Sequence, residues 1–339
     1  MQIGSDSEPM WHDLSSVSKD AYEWLYFDVM DEETQTHVSI DFLAPNPFDP
    51  RVVDPTVDPR DRVGVITCIS RVGQPGIEID FIGDRTQLRF SDNMRLAIGA
   101  SSVTRYASGT ALPVFEIELS ALGIDGRKVS GQFRFESMAE EWTVPGSRFY
   151  EADGDPSRYH AWVVHAPRAL TKGHLTVEGG PEGRLDLDVC GHGYHDHNLG
   201  TVPLAATVQR WFWARGSDAE HTVIAAHVVP KPTTEGDRWV NSVVYARSNT
   251  RQLVGSAGDR NVFDLKESTK GANGVDYPAL VEVQTGDDRR QPVAVTFKQR
   301  AMAIDAHQLY LRRYVDLSLR VGREQSAPLL AIAEDIVFP

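Results

Sequence analysis

The chain has 339 residues, of which 41% are hydrophobic and 24% charged, with a formal net charge of -14. This composition is typical of a globular protein and excludes disordered, collagen-like and coiled-coil chains. The acidic excess repels phosphate groups, so neither nucleic acid nor an anionic lipid surface is an expected partner. Residues 1–20 are polar and acidic, unlike a secretory signal, and no apolar run reaches the ~20 residues of a membrane helix. We therefore expect a cytoplasmic protein without stable membrane insertion.

Alternation of apolar and polar residues, the pattern of β-strands, recurs along the whole chain. Residues 22–42 alternate on both sides of a polar turn and predict a hairpin. Residues 46–61, with four Pro and four Asp, predict a long surface loop. Further strands are predicted at 62–70, 76–82, 113–119, 129–135, 159–165, 173–177, 184–190, 207–213, 222–229, 239–246, 279–284, 293–298 and 309–321. No helical stripe exceeds about three turns.

These patterns predict an all-β fold with antiparallel strands too numerous for one small barrel. Such sheets remove their exposed edges by curling or closing. We therefore expect two antiparallel β-barrel or sandwich domains packed side by side, an N-terminal one spanning 1–210 and a C-terminal one spanning 211–339. The only two cysteines, Cys68 and Cys190, form no CxxC pair, which excludes a thiolate zinc site and predicts reduced thiols.

The segment 191–200, GHGYHDHNLG, concentrates three His, a Tyr, an Asp and an Asn in ten positions. If it continues the strand predicted at 184–190, alternation divides its side chains between two faces. One face carries His192, Tyr194, Asp196 and Asn198. The other carries His195 and His197. Without a bulge, the two sets cannot serve one site.

The face with His195 and His197 is a candidate metal site that needs a third His or a carboxylate from elsewhere. His165, His174 and His227 are candidates, but their spacing favours none of them. Alternatively, the imidazoles form hydrogen bonds with the backbone or with Asp side chains and stabilise a turn. We predict that no metal is bound.

The face with Tyr194 and Asp196 is the candidate catalytic site. Burial among aromatic side chains disfavours the charged form of a carboxyl group, so a protonated Asp196 could give its proton to an apolar substrate. Tyr194 would then be its hydrogen-bond partner or a second donor. The structural alternative is a buried hydrogen bond that only holds the strand in place.

Aromatic side chains line one face of two further strands, at 22–26 and at 207–213. Aromatic faces with polar tips suit an apolar ligand cavity in a β-barrel, although ordinary core packing is the alternative. The predicted substrate-binding residues are Tyr22, Trp24, Tyr26, His192, Asn198, Gln209, Trp211 and Trp213. The sequence has no dinucleotide-binding, P-loop, G-x-S-x-G or kinase motif, so no cofactor is expected.

Together, GHGYHDHNLG, the following Pro203-Leu204, the strand with Trp211-Phe212-Trp213 and the segment WLYFD at 24–28 resemble a known superfamily. It is the two-domain lipocalin-like superfamily of carotenoid hydratases of the hydroxyneurosporene synthase type, bacterial AttH-like proteins and decalin-forming Diels–Alderases. The resemblance spans most of the chain and implies two lipocalin-like domains. The resemblance to the hydratases implies that a Tyr-x-Asp unit transfers the proton. Tyr194 and Asp196 match that unit. Leu199 departs from the pattern, which frequently has Trp there.

Three functions follow from this sequence. The first expectation is a cofactor-independent cyclase of a natural-product pathway of polyketide type, which folds an apolar polyene in a pocket between the two domains for an intramolecular four-plus-two cycloaddition. The alternative is a hydratase that protonates an isoprenoid double bond through Tyr194 and Asp196 and adds water. A non-catalytic carrier of an apolar ligand is the third. In each case the partner is an apolar polyene or isoprenoid.

Overall fold

The computed structural model describes residues 11–13, 18–49, 51, 56–91, 94–106, 112–181, 183–271, 274, 276–285, 292–304 and 310–338. Within these residues the only α-helix is the four-residue α1 (Leu204–Thr207), and single-turn 3-10 helices lie at Pro59–Asp61, Arg85–Gln87 and Pro232–Thr234. No helix in this described part could span a membrane. The predicted all-β class is confirmed.

The first sheet has thirteen strands. They are β1 (Tyr22–Asp31), β2 (Thr36–Leu43), β3 (Val63–Arg71), β4 (Ile77–Gly83), β5 (Leu88–Ser91), β6 (Arg95–Ile98), β7 (Ser101–Tyr106), β8 (Val114–Leu122), β9 (Lys128–Ser137), β10 (Trp142–Ala152), β11 (Asp155–Gly180), β12 (Gly183–Gly200) and the two-residue β15 (Arg238–Trp239). Their order is β4-β3-β2-β1-β12-β11-β9-β8-β7-β6-β5, and β10 pairs with β11 and with β15.

The second sheet has ten strands. They are β13 (Val208–Ser217), β14 (His221–Pro230), β16 (Ser242–Ser248), β17 (Gln252–Ala257), β18 (Asn261–Lys270), β19 (Asp276–Thr285), β20 (Val293–Ile304), β21 (Tyr310–Val321), β22 (Glu324–Gln325) and β23 (Leu329–Val337). Their order is β17-β16-β14-β13-β23-β21-β20-β19-β18, with β22 beside β21.

The described residues fall into two compact units. The limits of the first are Met1–Ile69, Ile77–Arg148 and Asp155–Leu204, and those of the second are Ser70–Gly76, Phe149–Gly154 and Ala205–Pro339. This is the architecture of a two-domain all-β lipocalin-like fold. That 1–210 and 211–339 form separate domains stays a prediction, because compactness does not test independent folding.

The core of the first unit begins at the predicted β1–β2 hairpin. Its inward side chains pair in register across the two strands: Leu25 with Phe42, Phe27 with Ile40, and Val29 with Val38. All six are at most 1% exposed. Because burying one large apolar side chain contributes about 1.5–3 kcal/mol, this alternation fixes which face of β1 points into the core.

In the second unit the strand predicted from residue 309 begins at Tyr310, and residue 309 lies outside the described residues. Leu317 and Leu319 on β21 pair with Phe297 and Val295 on β20, and all four belong to the core. The alternation seen in the sequence thus sets the inward face of both strands, which confirms this prediction.

Other elements differ from the sequence patterns. The strands predicted at 159–165 and 173–177 are one strand, β11, with register shifts between Val163 and Ala166 and between Ala166 and Ala169. These irregularities interrupt the alternation, so one bent strand looks like two. The patterns also do not predict the following strands: β5, β6, β7, β10, β17, β18, β22 and β23. Many of these strands have an exposed or a partly polar face. The loop predicted at 46–61 agrees with the structure, because its described residues form no strand.

A partly exposed carboxyl on β4, Asp80, gives a prediction for stability. Burial, together with the charges of Glu78 and Asp125, raises the pKa of Asp80 to about 7, and its Oδ1 has no hydrogen-bond partner. In the unfolded chain an Asp titrates near pH ~3.9. The folded state therefore binds more protons between these values, and its stability falls as the pH rises from about 4 to about 7.

Asp80→Asn should therefore stabilise the protein at pH 8 by on the order of 1–2 kcal/mol, a value reduced for the solvent exposure of the side chain, and much less at pH 4. Urea unfolding at both pH values measures the difference. Glu324→Gln, which changes an exposed carboxyl on β22, is the control and should show no such pH dependence. Equal effects of Asp80→Asn at both pH values would contradict the argument.

Candidate functional site

The segment 191–200 forms the second half of β12 and pairs antiparallel with β1. Tyr26 lies opposite Asp196 and Phe27 lies opposite His195, and the register is continuous from Tyr22 to Met30. Paired residues share a face of the sheet, so Asp196 faces the side of Tyr26, while His195 faces the core side of Phe27. The predicted separation of the motif into two faces is confirmed.

The Asp196 carboxyl is buried and accepts hydrogen bonds from side chains on β11 and β12. Trp162 Nε1 and the Tyr194 hydroxyl both donate to Oδ2, at 2.8 and 2.6 Å, and Asn198 Nδ2 donates to Oδ1 at 2.9 Å. Tyr194 and Asn198 are its same-face neighbours on β12, and Trp162 on β11 lies directly opposite Asn198. Hydrogen bonds stabilise the carboxylate while burial stabilises the neutral acid. The Trp162, Tyr194 and Asn198 donors hold the carboxyl in one orientation.

Neutral aromatic groups surround this carboxyl on the same face. The rings of Tyr26 and Tyr194 meet edge to face at 6.1 Å, and those of Tyr22 and Trp24 stack at 5.1 Å. The Tyr22 hydroxyl lies 2.7 Å from Nδ1 of His160. Burial lowers the pKa of His160 to about 3 and raises that of Tyr22 well above its ordinary value, so both are uncharged at neutral pH. This face suits an apolar molecule.

A second buried carboxyl, Asp28, lies on the same face and pairs with Tyr194. Its Oδ2 accepts a hydrogen bond of 2.8 Å from the Tyr26 hydroxyl and lies 3.3 Å from Nε2 of His37. Because Tyr26 is the direct partner of Asp196, the two carboxyls are diagonal neighbours on adjacent strands.

The structure gathers most of the predicted site residues of the first unit on this face. They are Tyr22, Trp24, Tyr26, Tyr194, Asp196 and Asn198. His192 shares the face at the far end of the paired stretch, half-buried and opposite Met30. Their roles in substrate binding stay predictions.

The remaining predicted residues belong to β13 of the second unit. Trp211 and Trp213 are buried and alternate with the core residue Phe212. Trp211 meets Phe149 edge to face at 5.3 Å. Gln209 is exposed, at a register shift between Val208 and Arg210 that interrupts the alternation on which its placement was based.

The opposite face of β12 points into the first unit. His195 stacks on Phe27 with ring centres 3.8 Å apart, and its Nδ1 hydrogen-bonds to the carbonyl oxygen of Tyr26 at 2.9 Å. Burial, with a smaller contribution from His165, holds the pKa of His195 well below its ordinary value. His195 is therefore a neutral imidazole packed in the apolar core.

His197 joins a cluster that the sequence does not predict. Its Nε2 lies 2.8 Å from Oε1 of Glu23, and His12 Nδ1 lies 2.8 Å from the same oxygen. Burial alone would raise the pKa of Glu23, but the hydrogen bonds from His12 and His197 outweigh it and hold that pKa below its ordinary value. Burial lowers the pKa of His197. Glu23 is thus a buried carboxylate between two imidazoles.

Two of the three other candidate ligands, His174 and His227, stand apart from this cluster. His174 is exposed and bonded to Asp188, while His227 stacks on Phe263. His165 is near, with its ring 5.8 Å from that of His197. Sequence reasoning misses both Glu23 and Trp162. A signal for Glu23 exists, because it is a charged residue in the register of the apolar face of β1.

No protein-family model matches the chain. A curated relative, hydroxyneurosporene dehydrogenase of Chlorobaculum tepidum, is 25% identical over 353 residues, which cover 98% of this chain and 87% of the relative. The similarity therefore extends across both units.

Three solved structures show the same fold. An AttH-like protein of Nitrosomonas europaea has a TM-score of 0.66 at 12% identity, covering 99% of each chain. CghA with Sch210972 has a TM-score of 0.63 at 11% identity, covering 95% of this chain and 89% of its own. Kievitone hydratase from Nectria haematococca has a TM-score of 0.59 at 15% identity, covering 99% and 96%. The predicted resemblance to the AttH-like superfamily is confirmed. Kievitone hydratase is by its name an enzyme, which agrees with the prediction that this chain is one.

Proposed function

We propose that this chain, which has the fold of the AttH-like superfamily, is a hydratase that protonates a carbon–carbon double bond of an apolar isoprenoid and adds water. The observation that carries this proposal is the Asp196 carboxyl, buried on an aromatic face and oriented by Trp162, Tyr194 and Asn198. The curated relative named for hydroxyneurosporene, an isoprenoid alcohol, supports the substrate class. Location in the cytoplasm is part of the proposal.

The direction of the hydrogen bonds favours proton transfer over cycloaddition. A catalyst of cycloaddition needs donors aimed at a carbonyl of the substrate. Here the Tyr194 hydroxyl and the Trp162 indole each have one polar hydrogen, and both are directed to Asp196. The site thus orients a carboxyl group, and an oriented carboxyl group can act as a general acid. For this reason we place the hydratase before the cyclase, the reverse of the order from the sequence.

In the proposed reaction, protonated Asp196 transfers its proton to one alkene carbon, and a carbocation forms at the more substituted carbon. Hydrogen bonds from Trp162 and Tyr194 stabilise the carboxylate left behind. A water molecule attacks the cation, and its extra proton returns to the carboxylate, which restores the acid. The faces of aromatic rings such as Trp24 and Tyr26 favour a nearby cation.

The second candidate is a cyclase of a natural-product pathway of polyketide type. The observation that favours it is the likeness to CghA, whose structure with Sch210972 covers 95% of this chain. In this case Tyr194 and Asp196 would position the substrate rather than transfer a proton, and an intramolecular cycloaddition would leave the mass of the substrate unchanged.

Product analysis separates the two candidates. The purified chain is incubated in D2O with a detergent-dispersed acyclic carotenoid that has terminal trisubstituted double bonds, and in parallel with a linear polyene that can cyclise. We expect the carotenoid to gain one water, with deuterium on the carbon next to the new carbinol carbon. A cyclised polyene of unchanged mass, with no hydrated carotenoid, would contradict the hydratase and support the cyclase.

A further inference from the structure

We propose that His12, Glu23 and His197 bind a divalent transition-metal ion inside the first unit. Each offers one ligand atom, and the three ligand atoms lie within 4.8 Å of one another. The sequence predicts no metal because two of these residues lie in the N-terminal part of the chain, far from the His-rich motif. The site is separate from Asp196, which faces the other side of β12.

The donor set and its burial suit a metal ion. Two imidazole nitrogens and one carboxylate oxygen are a common ligand set for zinc and for ferrous iron. The side chains of His12, Glu23 and His197 are 1%, 0% and 2% exposed. A carboxylate without access to water is costly unless its charge is compensated, and a divalent cation provides that compensation.

The spacing of the two imidazoles agrees with ligation of a single ion. With a zinc–nitrogen distance of about 2.0–2.1 Å and a tetrahedral angle, two imidazole ring centres lie about 5 Å apart. The ring centres of His12 and His197 are 5.4 Å apart. Both nitrogens lie 2.8 Å from Glu23 Oε1, whereas ligand atoms of tetrahedral zinc are about 3.3 Å apart. Binding therefore requires the carboxylate oxygen to move by roughly half an ångström.

Neighbouring side chains cover and support the trio. The Trp11 ring is 4% exposed and lies 6.4 Å from the His197 ring at an interplanar angle of 14°. His165 lies beside His197 and is held by Glu141 through a 2.5 Å hydrogen bond. Such outer contacts orient ligands and exclude solvent in metal sites. The segment 11–12 thus supplies one ligand together with part of the cover.

The competing interpretation is a hydrogen-bonded anchor without metal. The His12 backbone nitrogen donates to Glu23 Oε1 at 2.9 Å, in addition to the two imidazole contacts. These bonds alone would hold the N-terminal segment on β1. Metal binding would replace the imidazole bonds, and each ring would have to direct a lone pair to the ion.

Metal titration of the full-length chain tests the proposal without any substrate. Protein stripped with a chelator is titrated with Zn²⁺ by calorimetry, and the cobalt-loaded protein is examined for the visible absorption of tetrahedral Co²⁺. We expect one ion per chain, an increase of Tm with Zn²⁺, and at least a hundredfold loss of affinity in Glu23→Gln and in His12→Gln.

His174→Gln is the matched control, because His174 is an exposed histidine paired with Asp188. It should bind Zn²⁺ as the unmodified protein does. Circular dichroism of the metal-free variants checks the fold, and His12→Gln keeps the test available if Glu23→Gln does not fold, since His12 lies outside the strands. No binding to the unmodified protein, or equal binding by His12→Gln, would overturn the metal site and leave the hydrogen-bonded anchor. Either result leaves the role of Asp196 untouched.

Discussion

Asp196→Asn is expected to lower the hydration rate by about 10²–10⁴-fold, the contribution typical of a general acid. Asn keeps the shape of the side chain, and its carbonyl oxygen can accept the bonds from Trp162 and Tyr194. Its amide group would then face Asn198, whose Oδ1 has no hydrogen-bond partner and could turn to accept it. All three bonds can therefore re-form, so the substitution removes the transferable proton and little else.

The measurement is kcat for hydration of the acyclic carotenoid, with Tm as a check on folding. Tyr194→Phe removes one donor to the carboxyl and should reduce kcat less than Asp196→Asn. Asp316→Asn, at an exposed ion pair with Arg300, is the control. An Asp196→Asn rate within about tenfold of the unmodified protein, with a larger loss in Trp24→Ala or Trp211→Ala, would favour the cyclase.

The face of β12 on which each side chain of the His-rich motif lies could be predicted, because strand alternation is a local property. Once residues 184–200 form one strand, Tyr194 and Asp196 must lie on the same face, because side chains two positions apart share a face of a strand. The partners of Asp196 depend on which strands pair and in which register, and that is a long-range property. Tyr194 and Asn198 could therefore be placed beside Asp196, whereas Trp162 reaches it only because β11 pairs with β12.

The cluster of His12, Glu23 and His197 also shows that contacts between residues distant in sequence cannot be predicted from local patterns. Glu23 lies in phase with Leu25 and Phe27, so a charged residue on a core face was visible in the sequence. Its partners were not, because His12 lies in a segment without periodicity and His197 is distant in sequence. The β-bulge before Arg210 likewise displaced Gln209, since a bulge adds a residue that alternation cannot anticipate.

The second unit contains a buried ion cluster on the core face of β23. Asp335 is fully buried and accepts hydrogen bonds from Arg313 Nη2 and, at 2.7 Å, from Arg210 Nη2. Arg313 is 1% exposed and also donates to the carbonyl oxygen of Pro278. Burial lowers the pKa of Arg313, and the charge of Asp335 opposes this change. The carboxylate therefore compensates a guanidinium that water cannot reach.

Asp335→Asn is expected to destabilise the protein by about 3–5 kcal/mol, because it leaves the Arg313 charge buried without a counterion. Urea unfolding followed by circular dichroism measures the loss, and Asp316→Asn, which removes an exposed carboxylate, should cost less than about 1 kcal/mol. The penalty belongs to the unpaired charge rather than to the pair. Replacing both partners, as in Asp335→Leu with Arg313→Met, should therefore recover much of the stability. A double variant no more stable than Asp335→Asn would show that the pair itself, and not only compensation of charge, holds β21 and β23 together.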